Sequence, residues 1–266
     1  MLKGKNVIIT GANRGIGWAT VEVFTKNGAN VFACARKQTE DFERNLEELS
    51  QKYKVTATPV YFDVTDAVAV KEAVKRMGKD SSSLDILVNN AGISIERLMG
   101  MTSLQFVRET MDVNYLAQVQ LSQLVSRYMM KQKSGSIVNV ASVAGLAPEK
   151  GGLAYGSSKA AVIFSTCTMA LELAEFNIRV NAISPGFIAT DMWAKRNDDL
   201  KEKIRKQTLL NRQGNPQEVA NVILFLASDL SSYITGQNII VDGGRKICGE
   251  GDVLMKTTFL ALQGMR

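Results

Sequence analysis

Histidine is absent from this chain of 266 residues. The side chain that most often exchanges protons near neutral pH is therefore missing, and acid–base chemistry must fall to another residue whose pKa has been moved. Cysteine is scarce as well, and Cys34, Cys167 and Cys248 lie far apart in the sequence. Without histidine they form no metal site, and their spacing predicts free thiols in a reducing, cytoplasmic compartment.

The sequence also lacks long apolar runs and long runs of charged residues of one sign. No stretch approaches the length of a membrane span, and the apolar run in MLKGKNVIIT is too short for a signal peptide, so we expect no membrane partner. The net charge of +6 comes from basic residues interleaved with acidic ones. That mixture predicts a solvated surface and no nucleic-acid partner, and the segment KRNDDLKEKIRKQ, which begins at Lys195, predicts an exposed helix.

Seven short runs rich in Val and Ile alternate with longer segments of helical period. Continuous apolar runs are typical of strands buried on both faces, and helices between them indicate parallel pairing. We therefore predict a single-domain α/β fold, a Rossmann-type doubly wound parallel sheet of seven strands with helices on both faces. This domain spans residues 1–246, and residues 247–266 form a C-terminal extension of unknown role. The seven runs begin at Asn6, Asn30, Thr58, Leu84, Ser136, Ile178 and Asn238.

The segment TGANRGIG, from Thr10 to Gly17, follows the first predicted strand and opens a helix. Gly11 would allow a tight turn, Gly15 would let the backbone approach a pyrophosphate, and Gly17 would permit close packing of the helix. The helix N-terminus would add N–H donors and the positive end of its dipole. Glycines alone are also compatible with a simple turn, but the strand before them and the helix after them favour a dinucleotide site.

Basic residues stand where the adenosine ribose of such a dinucleotide would lie. The second strand ends in CARK, so Arg36 replaces the acid that accepts hydrogen bonds from the 2′-hydroxyl of NAD, and Arg14 lies within the glycine loop. Two guanidinium groups suit a 2′-phosphate because each donates paired hydrogen bonds to its oxygens. We therefore predict NADP(H) as the cofactor, and the alternative for Arg36 is an ordinary surface cation.

Tyr155 and Lys159 stand four residues apart in AYGSSKAAV, a segment whose small and apolar residues have helical spacing. They would lie one turn apart on one face of a helix. A nearby ammonium favours the phenolate, so we predict that Lys159 lowers the pKa of Tyr155 below its ordinary value of about 10. Tyrosine would then exchange the proton that histidine exchanges elsewhere. The alternative is an amphipathic helix end without chemistry.

Together these motifs resemble those of the short-chain dehydrogenase/reductase family. The resemblance extends from Lys3 to Gly244 and includes, in the family's order, TGxxxGxG, a strand-end DV, NNAG, an asparagine, a strand-end serine, YxxxK and PG. It implies an oxidoreductase that acts on CH–OH groups, with hydride passing between NADP(H) and a carbonyl carbon. The motifs begin at Thr10, Asp63, Asn89, Asn114, Ser142, Tyr155 and Pro185.

The resemblance also implies four catalytic residues. Tyr155 would protonate the developing alkoxide, and Ser142 would hydrogen-bond the same oxygen. Lys159 would hold the nicotinamide ribose as well as act on Tyr155. Asn114 would anchor a water molecule that links Lys159 to solvent, so that the proton can be replaced.

Further cofactor contacts follow from the same resemblance. Asp63 and Val64 would hold the adenine ring, Asn90 the adenosine ribose, and Ile188 and Thr190 the nicotinamide end. Each has a structural alternative: Asp63 could cap the following helix, and Asn90 could satisfy backbone groups at a strand end. The predicted cofactor contacts are Gly11, Asn13, Arg14, Gly15, Ile16, Gly17, Arg36, Asp63, Val64, Asn90, Tyr155, Lys159, Ile188 and Thr190.

Within the family, long segments such as NVASVAGLAPEKGGLAYGSSKAAV resemble those of the bacterial 3-oxoacyl-[acyl-carrier-protein] reductases. This resemblance implies an acyl-thioester substrate and an acidic acyl carrier protein as partner, for which Lys131 and Lys133 would offer part of a basic patch. The sequence departs from that group at Phe176, where a basic residue is usual, and in its longer tail. Sugar, steroid, polyol and other small carbonyl or alcohol substrates therefore stay open. A non-catalytic NADP(H)-binding sensor would have lost one or more of the four catalytic residues, and all four are present.

A lid over the substrate is expected in residues 187–212. Its apolar side chains would either contact a greasy substrate or pack on the lid's own body. They include Met192, Trp193, Leu209 and Leu210.

Assembly into a homotetramer, or a homodimer, is a further implication of the resemblance. Helices over residues 103–131 and 153–176 would form the dimer faces, and the last strand would form the second contact. Cys167 would be a core or subunit-contact residue and not a nucleophile. The apolar tail LMKTTFLALQGMR would be covered by a neighbouring subunit or left frayed.

Overall fold

The computed structural model describes residues 1–190, 199, 202 and 205–245. They contain one sheet of seven strands in which every pairing is parallel. The predicted α/β fold with a seven-stranded doubly wound sheet is confirmed. The strands are β1 (Asn6–Thr10), β2 (Asn30–Ala35), β3 (Ala57–Tyr61), β4 (Ile86–Asn89), β5 (Gly135–Val140), β6 (Ile178–Pro185) and β7 (Asn238–Val241).

The strand order is β3-β2-β1-β4-β5-β6-β7. The chain adds β2 and β3 on one side of β1 and then crosses over to add β4 and the later strands on the other side. β1 therefore pairs with β2 on one side and with β4 on the other. The pair of β1 and β4 is the point at which the strand order switches, and open α/β sheets bind their ligands in a crevice outside the carboxyl ends of the strands at such a point.

Helices cover both faces of the sheet, because each presents its apolar stripe to the buried strands. The helices are α1 (Gly15–Lys26), α2 (Glu40–Tyr53), α3 (Ala67–Asp80), α4 (Leu104–Met111), α5 (Ala117–Gln132), α6 (Leu153–Leu173) and α7 (Pro216–Ala227). One buried cluster joins the sheet to α1, α2 and α7, and a second joins it to α3, α5 and α6.

Polar side chains fix where several helices begin. Asp66 accepts hydrogen bonds from the backbone N–H groups of Val68 and Ala69, both at 3.0 Å, and so caps α3. The alternative role of Asp63 as that cap is therefore wrong. Asn215 and Glu218 form a reciprocal capping box at the start of α7. A cap of this kind typically stabilises a helix by about 1 kcal/mol.

The helix predicted over residues 103–131 is not continuous. A single π-helical segment, Asp112–Leu116, separates α4 from α5. Asn114 lies in this segment and is fully buried, with its side chain hydrogen-bonded to the backbone of Ile93. Widened turns of this kind are rare and occur mostly at functional sites. At the other predicted interface helix, α6 ends at Leu173 and a 3₁₀ turn, Ala174–Phe176, continues it.

The edge strands differ from the prediction of strands buried on both faces. β3 and β7 lie at the two edges of the sheet, and both carry partly exposed residues. Ile240 of β7 is 40% exposed. The apolar run of an edge strand looks the same in sequence as that of a central strand, because only the topology decides which strands have two neighbours.

Several sequence predictions lie outside the described residues. They are most of the exposed helix that begins at Lys195, the lid residues Met192 and Trp193, the thiol of Cys248 and the extension 247–266. In the part of the chain that the structure describes, no helix has both the length and the apolar character needed to cross a membrane.

Candidate active site

Ser142 is positioned by the end of β5. This strand ends at Val140, and Ser142 opens a short 3₁₀ turn whose Ala144 N–H donates to the Ser142 hydroxyl at 3.2 Å. The Ser142 side chain also lowers the pKa of Tyr155, so the two predicted catalytic side chains lie next to each other.

Two glycines allow this approach of the 3₁₀ turn to α6. A Cβ at Gly145 would lie 2.7 Å from the backbone of Lys159 and Ala160, and a Cβ at Gly156 would lie 2.8 Å from the Ala144 carbonyl oxygen. Neither glycine was singled out from the sequence. A glycine inside a helix costs about 1 kcal/mol relative to alanine, so the glycine that follows Tyr155 was a usable signal of close packing.

Lys159 is buried below Tyr155 on the same face of α6. It is 4% exposed, and its Nζ donates to the Val140 carbonyl oxygen at 2.8 Å. Burial lowers the pKa of this lysine from 10.5 to about 8, because an ammonium group is disfavoured away from water. Nζ lies 6.0 Å from the centre of the Tyr155 ring.

The pKa of Tyr155 is raised, which contradicts the predicted lowering by Lys159. Burial is the largest cause, because it disfavours the phenolate more than the surrounding groups favour it. The hydrogen bond to Ser142 acts in the opposite direction, while the carboxylates of Glu149 and Glu96 raise the pKa further. In this structure the phenol form is therefore favoured at neutral pH.

Asn114 connects the catalytic helix to the segment after β4. Its Oδ1 accepts from the Ile93 N–H at 2.8 Å, and its Nδ2 donates to the Ile93 carbonyl oxygen at 2.9 Å and to Ser158 Oγ at 3.0 Å. Ser158 in turn donates to the Tyr155 carbonyl oxygen at 2.7 Å. Ser158 was not predicted, although its place in YGSSK, directly before Lys159, could have drawn attention to it.

The NNAG motif completes this network from the other side of the crevice. A Cβ at Gly92 would lie 3.2 Å from Asn114 Oδ1 and 3.5 Å from Lys159 Nζ. The glycine thus lets the chain after β4 pass close to both side chains. Asn89 belongs to the buried sheet, where its Nδ2 donates to Ser122 and Asn139.

The glycine loop lies at the crevice between β1 and β4. Gly11 and Gly15 have φ values of +63° and +56°, a region that favours glycine. A Cβ at Gly17 would collide with the Gly11 carbonyl oxygen, so the start of α1 folds tightly against the loop. Arg14 is the N-cap residue of α1 but makes no capping hydrogen bond through its side chain, and the first turn contains no acid.

Asn90 braces this loop from the end of β4. Its Nδ2 donates to the carbonyl oxygens of Thr10 and Gly11 at 2.9 and 3.1 Å. Thr10 Oγ1 accepts from the N–H groups of Asn90 and Ala91, both at 3.0 Å. The structural alternative for Asn90, satisfaction of backbone groups, is therefore present. Its predicted contact with the adenosine ribose stays a prediction.

The remaining cofactor candidates border the same crevice. Asn13, Arg14 and Arg36 are exposed, and Ile16 and Val64 are partly buried. Asp63 Oδ1 accepts from the N–H and hydroxyl groups of Thr65, at 2.9 and 2.7 Å. These bonds lower the pKa of Asp63, and the charge of Arg36 contributes in the same direction. Arg36 and Asp63 thus lie near each other beyond β2 and β3.

Ile188 and Thr190 approach the glycine loop from the segment after β6. Ile188 is buried and bridges to Gly214. Thr190 Cγ2 would lie 3.4 Å from a Cβ at Gly15, so the threonine methyl covers the middle of the loop. The structure therefore brings the residues predicted for the two ends of the dinucleotide to one crevice.

Comparison with known proteins agrees with this geometry. A family model described as enoyl-(acyl carrier protein) reductase matches residues 11–246. A 3-oxoacyl-[acyl-carrier-protein] reductase from Thermotoga maritima is 43% identical over 245 residues, which cover 91% of this chain and 98% of that protein. The chain belongs to the short-chain dehydrogenase/reductase family. The prediction that it is an oxidoreductase is confirmed.

Solved structures of other short-chain dehydrogenases/reductases superpose closely. A 3-oxoacyl-[acyl-carrier protein] reductase from Brucella melitensis matches with a TM-score of 0.86 and 36% identity, covering 91% of each chain. A candidate gluconate dehydrogenase from Agrobacterium tumefaciens matches with a TM-score of 0.88 and 30% identity, covering 92% of this chain and 96% of that one. The fold is therefore shared by enzymes with different named substrates.

The lid expected over residues 187–212 would face the substrate, and the structure describes its last residues, 205–212. Leu209 and Leu210 are 60% and 62% exposed. Both nevertheless contact the turn after β7, since a Cβ at Gly244 would lie 2.6 Å from Leu209 Cδ1. A cavity of about 240 Å³ adjoins Leu210, and its lining includes Ile188 and Val241 as well as the charged residues Arg212, Glu218 and Asp242.

Cys167 is exposed on α6 and is not a core residue. Its Sγ lies 3.4 Å from the Gly236 carbonyl oxygen. The core alternative from the sequence is therefore wrong, and the subunit-contact alternative stays a prediction. Of the two cysteines that the structure describes, Cys34 is buried, and burial raises its pKa.

Proposed function

We propose that this enzyme reduces the 3-oxo group of an acyl thioester carried by acyl carrier protein, with NADPH as the reductant. The observation that carries the reaction is the placement of the Ser142 and Tyr155 side chains next to each other, with the buried Lys159 holding its Nζ 6.0 Å from the centre of the Tyr155 ring. The names of the Thermotoga and Brucella relatives support the substrate class. Lys131 and Lys133, both exposed, would contribute to docking of an acidic carrier protein.

The residues at the crevice fit an NADP(H) molecule. Gly11 and Gly15 take the backbone conformation that a phosphate-binding turn needs, and α1 begins there without an acid in its first turn. The exposed guanidinium groups of Arg14 and Arg36 would bind the 2′-phosphate. Asp63 and Val64 would hold the adenine ring, and Ile188 and Thr190 would lie at the nicotinamide end.

Tyr155 holds the proton that the reduction consumes. Because its pKa is raised, the phenol form is present at neutral pH. It donates the proton to the carbonyl oxygen as that oxygen gains charge, while the Ser142 hydroxyl hydrogen-bonds the same atom. When bound, the reduced nicotinamide supplies the hydride to the carbonyl carbon, which gives the secondary alcohol.

Lys159 assists at the same place. With a pKa of about 8 it is mainly charged at neutral pH, so it stabilises the phenolate that remains on Tyr155. Its ammonium group would also bind the hydroxyls of the nicotinamide ribose. Asn114 would connect Lys159 to solvent through a water molecule. The hydrogen bonds of Asn114 to Ile93 and Ser158 hold it in place for that role.

The proposed function predicts turnover of acyl thioesters. We expect the purified enzyme to oxidise NADPH when acetoacetyl-CoA or an acetoacetyl carrier protein is added, with a lower KM for the carrier-protein thioester. The measurement is the initial rate of loss of NADPH absorbance. Tight NADPH binding without thioester turnover would overturn the substrate assignment while leaving the cofactor assignment in place.

A sugar acid is the second candidate substrate, because the Agrobacterium structure superposes as closely as the reductase from Brucella. The same four catalytic residues would act in the direction of alcohol oxidation. Gluconate with NADP⁺, assayed beside the thioesters, separates the two candidates by their kcat/KM values.

The proposed role of Arg36 predicts a change in cofactor preference. Loss of charge-assisted hydrogen bonds worth about 1.5–3 kcal/mol should raise the KM for NADPH about 10- to 100-fold in Arg36→Ala, with kcat nearly unchanged. The KM for NADH should stay the same, because NADH lacks the 2′-phosphate. Arg44→Ala, which removes an exposed arginine paired with Asp41, is the matched control. An equal rise for both cofactors would contradict the role.

Assembly and location stay proposals as well. We propose a cytoplasmic homotetramer, or a homodimer, in which the helical residues 103–131 and 153–176 and the strand β7 supply the contacts. The exposed Phe164 and Leu171 on α6, at 77% and 82%, are apolar side chains that such a contact would cover.

A further inference from the structure

The loop that leads into the catalytic helix is held from two distant parts of the chain. The Arg97 N–H donates to the Gly151 carbonyl oxygen at 3.0 Å. Arg245 forms an ion pair with Glu149, at 2.8 Å between Nη2 and Oε1. The residues of this ion pair are 96 positions apart in sequence, so the contact ties the turn after β7 to the entrance of α6.

A tight turn places Arg245 at this position. Gly243 and Gly244 have φ values of +63° and +84°, which few other residues adopt. Asp242 Oδ1 accepts from the Gly244 N–H at 2.8 Å, and the Asp242 carbonyl oxygen accepts from the Arg245 N–H at 3.3 Å. Arg245 is 20% exposed, so its side chain lies against the protein and not in free solvent.

The Glu149 side of the ion pair continues directly to Tyr155. The Glu149 carbonyl oxygen accepts from the Gly152 N–H at 3.0 Å, and the Gly152 carbonyl oxygen accepts from the Gly156 N–H at 2.7 Å. Gly152 is the N-cap residue of α6, and Tyr155 immediately precedes Gly156. A displacement of Glu149 would therefore move the first turn of the helix that carries the phenol.

We propose that the ion pair between Glu149 and Arg245 is a clasp that positions the start of α6 and screens the Glu149 carboxylate from the Tyr155 hydroxyl. Both are positioning residues, and the proposal rests on the proposed reductase function. No role in the reaction follows for either residue from the family's motifs, which end before Arg245.

The clasp acts within a defined set of charges around Tyr155. Glu149 on the entry loop and Glu96 on the segment after β4 raise the pKa of the phenol. The Ser142 side chain, on the turn after β5, lowers it through a hydrogen bond. Lys159 supplies the positive charge on α6 itself, with Nζ 6.0 Å from the ring centre. Arg245 is the cation paired with Glu149.

The two halves of the clasp should shift the pH profile in opposite directions. In Arg245→Gln the Glu149 carboxylate is unscreened, so the pH at which the Tyr155 phenol is half ionised should rise. In Glu149→Gln the carboxylate is gone, so that pH should fall. Each shift should be about half a pH unit, because a partly exposed charge is screened by water. Both variants should also lose about two- to fivefold in kcat, with the KM for NADPH unchanged.

Control variants separate this effect from a general loss of stability. Arg44→Gln and Asp41→Asn remove an exposed ion pair on α2 and should leave the profile unchanged. Arg245→Lys keeps the positive charge and should restore most of the wild-type profile. The opposite shifts should also shrink at high salt concentration. Shifts in the same direction for both variants, or none in either, would overturn the clasp.

A direct titration keeps the test independent of the substrate. The ultraviolet difference spectrum between each protein and its Tyr155→Phe counterpart reports the phenolate of Tyr155 alone. The opposite shifts should appear in this spectrum even when the thioesters are not turned over. Turnover failure in the wild type would thus sink the proposed function, whereas coincident titration curves would sink the clasp.

Discussion

Replacement of Tyr155 by phenylalanine should lower kcat for the reduction by about three orders of magnitude. Loss of a positioned general acid typically costs about 10²–10⁴ in rate, and this chain has no histidine to substitute for it. The KM for NADPH should stay within about twofold of the wild-type value, because the aromatic ring stays beside the cofactor crevice and only the hydroxyl is removed.

The comparison that decides this result is Tyr233→Phe. Tyr233 is fully exposed near β7, so its hydroxyl makes no difference to the crevice. Both variants should melt within about 2 °C of the wild type, since an exposed or singly hydrogen-bonded hydroxyl contributes little to stability. If Tyr155→Phe retained more than about a tenth of the wild-type kcat, another group would have to be the proton donor.

The fold was predictable from the sequence because a buried parallel strand needs a continuous apolar run. The runs at Asn6, Asn30 and Ile178 give the starts of β1, β2 and β6 to the residue. The glycine loop was predictable for a similar reason, since Gly11 and Gly15 take backbone conformations that other residues avoid. Local chemistry was sufficient for both.

The environment of the catalytic residues was less predictable, because it depends on residues distant in sequence. The pKa of Tyr155 is raised chiefly by burial, and then by Glu149 on the entry loop and by Glu96, which the sequence places 59 positions away. The spacing from Tyr155 to Lys159 suggested a lowered pKa, since spacing reveals an opposite charge but not the loss of water around it. The π-helical segment at Asn114 was missed for the same reason, as its side chain is held by the backbone of Ile93.

Replacement of Lys159 by methionine should remove activity and at the same time stabilise the protein without cofactor. The rate should fall at least about 100-fold, because the charge that stabilises the Tyr155 phenolate is lost. The free energy of unfolding should rise because the variant no longer has to bury the charged ammonium group that destabilises the wild-type fold. The pKa of Lys159 falls from 10.5 to about 8 on burial, which corresponds to about 3 kcal/mol at neutral pH.

The gain in stability is smaller than that full cost. The lysine donates to the Val140 carbonyl oxygen, and loss of this hydrogen bond costs about 1 kcal/mol. We therefore expect a net stabilisation of about 2 kcal/mol at pH 7, which raises Tm by about 4–8 °C. Lys71→Met, at an exposed position on α3, should leave Tm nearly unchanged and serves as the control.

The pH dependence gives the sharper test, because the sign of the linkage is fixed. The folded pKa of Lys159 lies below the unfolded one, so the unfolded chain binds the extra proton between about pH 8 and 10.5. Lys159 therefore destabilises the fold by the full amount below about pH 8, and this destabilisation disappears as the pH rises through that window. The stability advantage of Lys159→Met over the wild type should therefore shrink toward pH 10.5.

Measuring the free energy of unfolding of both proteins in a Tyr155→Phe background removes the titration of the phenol from the comparison. A variant less stable than the wild type at pH 7 would show that the ammonium group is compensated within the fold. Lys159 would then bear no stability cost for its catalytic position.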